Sequence, residues 1–426
     1  MAELIVGLLG CGTVGSGVVR LLEEHADEIE SRLGARLVLG PVAVQSLVKD
    51  RDVTVSCLTD DPHEVTADPR VDIVVEVMGG IEPAYGLICE ALTAGKSVVT
   101  ANKELMANLG GELLALAHDK GVRVEYEAAV AGGIPLIKPM RESLAGDRVR
   151  KVLGIVNGTT NYVLTRMREE RVQFNDALAE AQRLGYAERD PSADIEGYDA
   201  AAKAAILASI AFDTRVVADD VYREGITSVT ATDIAHAARM GYVIKLLAIA
   251  QDYDGEIGVR VHPALLPADH PLSSVRDAFN AVFVEADAVG ELMFYGRGAG
   301  SLPTASAVLG DLVTVARALL SGERPASAPP TTFRPIRGIG EVTVQYYVLL
   351  DVADEPGVLA AIASVFGAHM VSIKSVWQEG AGESAQLLLI THAAKESNVQ
   401  ATLHGLRALP AVRRVASVMR VEGGEA

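Results

Sequence analysis

Hydrophobic positions along the first 130 residues fall into short unbroken blocks separated by amphipathic stretches. Residues 4–9 are an apolar block and 15–30 an amphipathic stretch, which predicts a buried strand followed by a helix. The alternation continues with a strand over 37–47, a short extended segment over 53–58 and a strand over 73–77. Then come a helix over 85–94, a strand over 97–100, a helix over 110–120 and a strand over 122–126. Blocks such as Ile73-Val74-Val75 lack polar alternation, as strands covered on both faces do. The βαβ rhythm predicts an α/β fold whose residues 1–130 form a doubly wound parallel sheet.

From about 131 the pattern changes. Helices are predicted at 175–184, 199–212 and 232–252, and strands at 149–156 and 280–289, giving an α+β segment over 131–304 that suits substrate binding. A helix over 305–320 is placed to return to the first sheet. Residues 321–340 read as a linker, rich in Pro, Ala and Ser between 321 and 330. The remainder, 341–426, alternates strand 343–352, helix 358–366, strands 373–378 and 385–391, helix 396–408 and strand 412–421. That order is βαββαβ, the ferredoxin-like arrangement.

Composition narrows the function classes. With 426 residues, 49% hydrophobic and 22% charged, the chain suits a globular protein of two or three domains. A net charge of -18 argues against a nucleic-acid partner. No apolar run reaches the roughly 18 residues that span a bilayer, and the N-terminus lacks the basic start of a signal peptide, so no membrane partner is expected. Cys11, Cys57 and Cys89 have neither metal-ligand nor disulfide spacing, which fits a cytoplasmic location. The nine histidines show no paired metal spacing, and no serine sits in a GxSxG elbow.

Against that background one turn stands out. Gly10-Cys11-Gly12-Thr13-Val14-Gly15 follows the first strand and opens the first helix, the context in which GxGxxG binds a dinucleotide in a Rossmann-type domain. Gly10 permits the tight turn, Gly12 admits a pyrophosphate, and Gly15 lets helix and strand approach. The second strand ends in Gln45-Ser46 rather than the acid that holds the ribose of NAD, and Lys49 and Arg51 follow. NADP(H) is therefore the expected cofactor, with NAD(H) as the alternative if these two bases are only a solvated turn.

Further on, Lys103 follows Thr100-Ala101-Asn102 past a strand end, where a cation opposes the helix dipole and so suits a ligand better than a cap. The turn from Glu127 to Pro135 combines a carboxylate with small residues and accessible carbonyls, a combination able to hold a hard cation. Asn157 or Thr159 reads as a helix cap. Between Gly185 and Asp199 five carboxylates (Glu188, Asp190, Asp194, Glu196 and Asp199) precede an Ala-rich helix carrying Lys203. Asp199 and Lys203 are four residues apart and share a helix face. A lysine in so apolar a helix is costly to bury unless paired. The pair reads either as a proton-transfer site or as a structural ion pair at a helix start.

Together these segments resemble the homoserine dehydrogenase family, along nearly the whole chain. The resemblance rests on Gly10–Gly15, Thr100–Lys103, Glu127–Pro135, Asn157–Tyr162 and Gly185–Lys203, with Gly241–Ala248 and Gly296–Thr304. The tail is similar to an ACT domain, an amino-acid-sensing module, on Asp354-Glu355-Pro356-Gly357-Val358-Leu359. The resemblance implies reversible reduction of L-aspartate 4-semialdehyde to L-homoserine, a step toward threonine, methionine and isoleucine. It implies Lys203 as general acid, with Lys103 as its rival and a cofactor contact, and Asp199 as a catalytic and substrate-site acid. Glu188 is implied as the ligand of the substrate ammonium, Asp194 as its support, and Gly300 as a cofactor contact beside Gly10, Cys11, Gly12, Thr13, Val14 and Gly15. Glu127, Val130, Gly132 and Ile134 are implied as a Na+ site. A homodimer or homotetramer, joined through 131–304 and the ACT sheets, is implied, with L-threonine as allosteric effector. A non-catalytic amino-acid sensor has no need of a lysine among five acids. A 2-hydroxy-acid dehydrogenase requires a His–acid pair and an Arg that do not occur in combination here.

Overall fold

The computed structural model describes residues 2–323, 333–382 and 385–424, so the predicted linker lies partly outside the described residues. The N-terminal elements are β1 (Ala2–Leu9), α1 (Thr13–Glu24), α2 (Ala26–Leu33), β2 (Ala35–Ala43), β3 (Leu58–Thr59) and α3 (His63–Thr66). They continue with β4 (Ile73–Glu76), α4 (Ala84–Thr93), β5 (Ser97–Thr100), α5 (Lys103–Lys120) and β6 (Val124–Glu125). The six strands form one sheet in the order β3-β2-β1-β4-β5-β6, every pair parallel. Strand order reverses between β1 and β4, and at such a switch point the carboxyl ends of the strands leave a crevice for a ligand. The predicted single helix over 15–30 is divided at His25, whose N–H donates to Leu21 as the end of α1. Of the extended segment expected over 53–58 only its last residue joins the sheet, in β3.

Next come β7 (Val149–Ile155), α6 (Gly158–Glu169), α7 (Phe174–Arg183), α8 (Ser192–Ile195), α9 (Tyr198–Ala211), β8 (Tyr222–Arg223) and α10 (Ala231–Arg239). After these follow β9 (Tyr242–Asp252), β10 (Ile257–Pro267), β11 (Phe279–Ala286), β12 (Gly290–Arg297) and α11 (Ser301–Ser321). The helix expected over 232–252 is corrected here. It stops at Arg239, Gly241 turns the chain at φ +79°, and β9 runs antiparallel between β7 and β10. Residues 243–250 are all buried, so the strand shows no period of two that would separate it from a buried helix.

The described remainder holds β13 (Thr343–Val352), α12 (Val358–Ala368), β14 (Ile373–Glu379), β15 (Gln386–Thr391), β16 (Ala394–Lys395), α13 (Glu396–Arg407) and β17 (Val412–Val421). Apart from the short β16, this is the predicted βαββαβ succession. Its strands do not form a sheet of their own. β17 pairs in parallel with β10 at Ala264↔Arg420 and Leu265↔Val421, so one mixed sheet runs β12-β11-β7-β9-β10-β17-β13-β15-β14.

α11 is long and apolar enough to cross a bilayer by length and composition alone. Its Ala305, Val308, Leu312, Val315 and Ala316 are instead buried with β1 and α1 in one core. Gly17 allows the contact, because a Cβ there would sit 2.8 Å from the Ser301 carbonyl.

Candidate functional site

The glycine turn sits at the carboxyl end of β1. Gly10 has φ +99°, a conformation open to glycine at little cost. A Cβ on Gly15 would overlap the Gly10 carbonyl, whereas one on Gly12 would meet nothing within 4 Å. The turn is thus tight at its ends and open in the middle. Gly12 caps α1 without a side-chain bond, leaving the first N–H groups of the helix to an anion. Cys11 is buried beside Ser16, and Val14 packs into the core under the turn. The Ser301 hydroxyl donates to the Thr13 carbonyl at 2.6 Å, which holds Gly300, at φ +125°, next to the turn. At the end of β2, Gln45 and Lys49 are exposed. Arg51 is turned onto its own loop, donating to the Ser46 and Lys49 carbonyls at 2.6 and 2.8 Å.

Across the switch point, the buried Glu76 at the end of β4 accepts from the backbone N–H groups of Met78 and Gly79 at 2.8 and 3.2 Å. It also accepts from the Thr100 hydroxyl at 2.6 Å. Asn102 caps α5 by accepting from Leu105 N–H at 3.1 Å and donates to the Gly80 carbonyl at 2.6 Å. These bonds fix Lys103, the first residue of α5, at the rim of a cavity of about 240 Å³. Gly79, Gly80, Ala129, Gly132, Gly298 and Lys203 also line it.

Lys203 enters from α9. Its ammonium donates to Asp199 Oδ2 at 2.8 Å and to the Val156 carbonyl at 2.7 Å. Lys103 donates to the other oxygen, Asp199 Oδ1, so one carboxylate joins two lysines that lie 100 residues apart in sequence. Burial alone would push the Asp199 carboxyl up, but Lys203 and Lys103 override this and hold it well below the usual range. Burial lowers the proton affinity of Lys103 and Asp199 more than restores it, with a net rise. Asn157 caps α6 as expected, its Oδ1 accepting from Thr160 N–H at 2.9 Å. It also donates to Asp194 Oδ1 and Asp199 Oδ2 at 2.7 and 2.8 Å. Asp194, on α8, is therefore tied into the same group. Glu188 is exposed on the preceding loop, which is anchored where the Thr159 hydroxyl donates to the Tyr186 carbonyl at 2.6 Å.

At the predicted cation turn, Val130 and Ile134 are buried and Gly132 has φ +56°. The Glu127 carboxylate accepts from Leu136, Ile137 and Lys138 N–H at 2.5, 2.6 and 2.9 Å, so it caps the following turn. Among the described residues no group of three or more His, Cys, Asp or Glu side chains is arranged to hold a metal.

Sequence reasoning did not find Glu76 or the two-glycine turn after it, although the series Ile-Val-Val-Glu before Gly79-Gly80 marks an acid at a strand's carboxyl end. It assigned Asn157 only its capping role.

Residues 10–127 match the family model described as homoserine dehydrogenase, NAD binding domain, and 135–313 match the one described as homoserine dehydrogenase. The chain is 51% identical to the homoserine dehydrogenase of Mycobacterium tuberculosis (strain ATCC 25618 / H37Rv), covering 98% of this chain and 97% of that one. It is 43% identical to that of Bacillus subtilis (strain 168), covering 99% of each. The crystal structure of a homoserine dehydrogenase from Thiobacillus denitrificans superimposes with a TM-score of 0.95 at 44% identity, over 99% of this chain and 98% of that one. A hyperthermophilic archaeal homoserine dehydrogenase in complex with NADPH aligns with a TM-score of 0.63 at 29% identity, over 74% of this chain and 97% of that one.

Proposed function

Because the chain belongs to the homoserine dehydrogenase family, and so is an NAD(P)-dependent oxidoreductase, we propose that it reduces L-aspartate 4-semialdehyde reversibly to L-homoserine. The observation that carries this reading is the Lys103–Asp199–Lys203 bridge at a cavity beside the dinucleotide turn. When bound, the reduced nicotinamide supplies the hydride for the aldehyde carbon. Lys203 protonates the carbonyl oxygen. Its ammonium has three N–H groups, of which two are engaged by Asp199 and Val156, leaving one for the substrate. Lys103, whose side chain is 39% exposed against 11% for Lys203, is assigned the fixed electrostatic contact to substrate and cofactor. Glu188, supported by Asp194, takes the substrate ammonium.

NADP(H) is the favoured cofactor: Lys49 is free to meet a 2′-phosphate, while Arg51 stiffens the loop that carries it. A Na+ ion at Glu127, Val130, Gly132 and Ile134 would be held through main-chain carbonyls, because the Glu127 carboxylate is engaged by three N–H groups. We read β13 to β17 as an ACT domain that senses L-threonine. Self-association into a homodimer or homotetramer is supported by the edge strand β12, where Tyr295 is exposed.

The test is an absorbance assay of nicotinamide reduction with L-homoserine, offering NADP and NAD separately. Reduction with L-homoserine but not L-serine supports the reading. A folded sample inactive with both cofactors, with Na+ and K+ each tried, would overturn it.

A further inference from the structure

Asn157 is the last residue before α6, and its side chain does two things at once. Its carbonyl oxygen is occupied at the helix start, accepting from Thr160 N–H at 2.9 Å and from the Thr160 hydroxyl at 3.0 Å. That leaves no choice about which end of the amide faces the active site: the NH2 group points away from the cap, toward acids. Both of its hydrogens are used, one on Asp194 Oδ1 and one on Asp199 Oδ2. The two carboxylates come from different elements, α8 and α9, and would repel each other across the same small space. Asn157 and Asp199 are buried and Asp194 half-buried, so water screens the two acids less than on an open surface.

Asp199 Oδ2 is the same oxygen that accepts from Lys203, and the Val156 carbonyl, which precedes Asn157 in the chain, is the second acceptor of that lysine. One dipeptide therefore touches both the donor lysine and its carboxylate. We propose that Asn157 is a positioning residue for proton transfer: it holds Asp194 and Asp199 together without charge, and thereby fixes the direction in which Lys203 presents its remaining N–H. The charged groups facing the amide are Asp194 from α8, Asp199 and Lys203 from α9, and Lys103 from α5. They make a balanced set of two acids and two bases. The inference rests on the reading of Lys203 as proton donor.

The capping and bridging roles separate by substitution. Asn157→Ser keeps a good N-cap but is too short to reach both acids. Asn157→Asp also keeps the cap but sets a third carboxyl against two others. With the full chain and the homoserine assay, Asn157→Ser is expected to lower kcat by at least about tenfold, with a smaller change in KM, as misplaced catalytic groups do. Asn157→Asp is expected to regain activity on acidification, because like-charged carboxyls share a proton and a protonated Asp can again donate. If both variants keep kcat within about threefold of the parent at every pH, Asn157 is only a cap and the proposal falls. Lys203→Ala is measured in parallel. A fully active Lys203→Ala overturns the proton-donor reading itself, whereas an inactive one beside active Asn157 variants overturns only the positioning role.

Discussion

Lys203 lies one helical turn after Asp199 and donates to its Oδ2 at 2.8 Å, while the opposite oxygen of the same carboxylate is taken by Lys103. The lysine reaching the cavity from α9 has a side chain 11% exposed, against 39% for the one from α5. In the proposed reaction the deeper lysine is the proton donor. Lys203→Ala should lower kcat by about 10²-fold or more, the usual scale for a positioned general acid, with circular dichroism unchanged. Lys103→Ala should act more on KM than on kcat.

Gly15 packs so closely on the Gly10 carbonyl that no side chain fits between helix and turn. Gly15→Ala should push α1 away from β1 at a cost of about 1–3 kcal/mol and weaken binding of the reduced nicotinamide cofactor at least about tenfold, equivalent to about 1.4 kcal/mol. Fluorescence titration of the reduced cofactor reads this directly. Gly12→Ala, in open space, should leave stability unaffected and impair only cofactor affinity.

Lys245, near the start of β9, is buried with no carboxylate in contact among the described residues, donating to Asn161 Oδ1 at 2.8 Å and to the Val275 carbonyl. Burial, helped by Arg168, brings it from its usual 10.5 down to about 7. Between those values the folded chain binds fewer protons at this site than the unfolded chain. Stability therefore rises with pH across that window, by up to about 1.4 kcal/mol per unit. Chemical denaturation from pH 7 to 10 should show that rise in the parent protein, and Lys245→Met should flatten it.

Glu422, just past β17, accepts from the buried Arg260 of β10 at 2.7 Å and from Lys151 of β7 at 3.1 Å. The guanidinium Nε and Nη1 of Arg260 have no hydrogen-bond partner among the described residues, so this one carboxylate bears most of its compensation. Glu422→Gln should destabilise the chain by about 3 kcal/mol or more, because it leaves a buried charge unpaired. A thermal melt should show a Tm lower by several degrees, with kcat nearly unchanged.

Local chemistry was legible in the sequence, and relations across long separations were not. Gly10, Gly12 and Gly15 each carry a steric reason visible in the motif, and the strand over 343–352 has the boundaries expected of it. β9 was missed because burial on both faces erases the period, although Gly241 after Arg239 is a helix-stop signal. The bond from Asn157 to Asp199 joins residues 42 apart, and no local pattern announces it. Glu76 is legible as an acid at a strand end, but not its partners, which lie in a turn and in the next strand.

The parallel pairing of β17 with β10 has a consequence for what truncating this chain would do. A tail that hangs from a flexible tether can be cut away with little effect on the rest. Here the last strand fills a seat in the sheet that also contains β7 and β9, and deleting residues 333–426 would bare the β10 edge and strand Arg260 without Glu422. Ala264 and Leu265 are therefore bound to the fate of Arg420 and Val421. Point variants at this junction are therefore better probes of the tail's role than its removal.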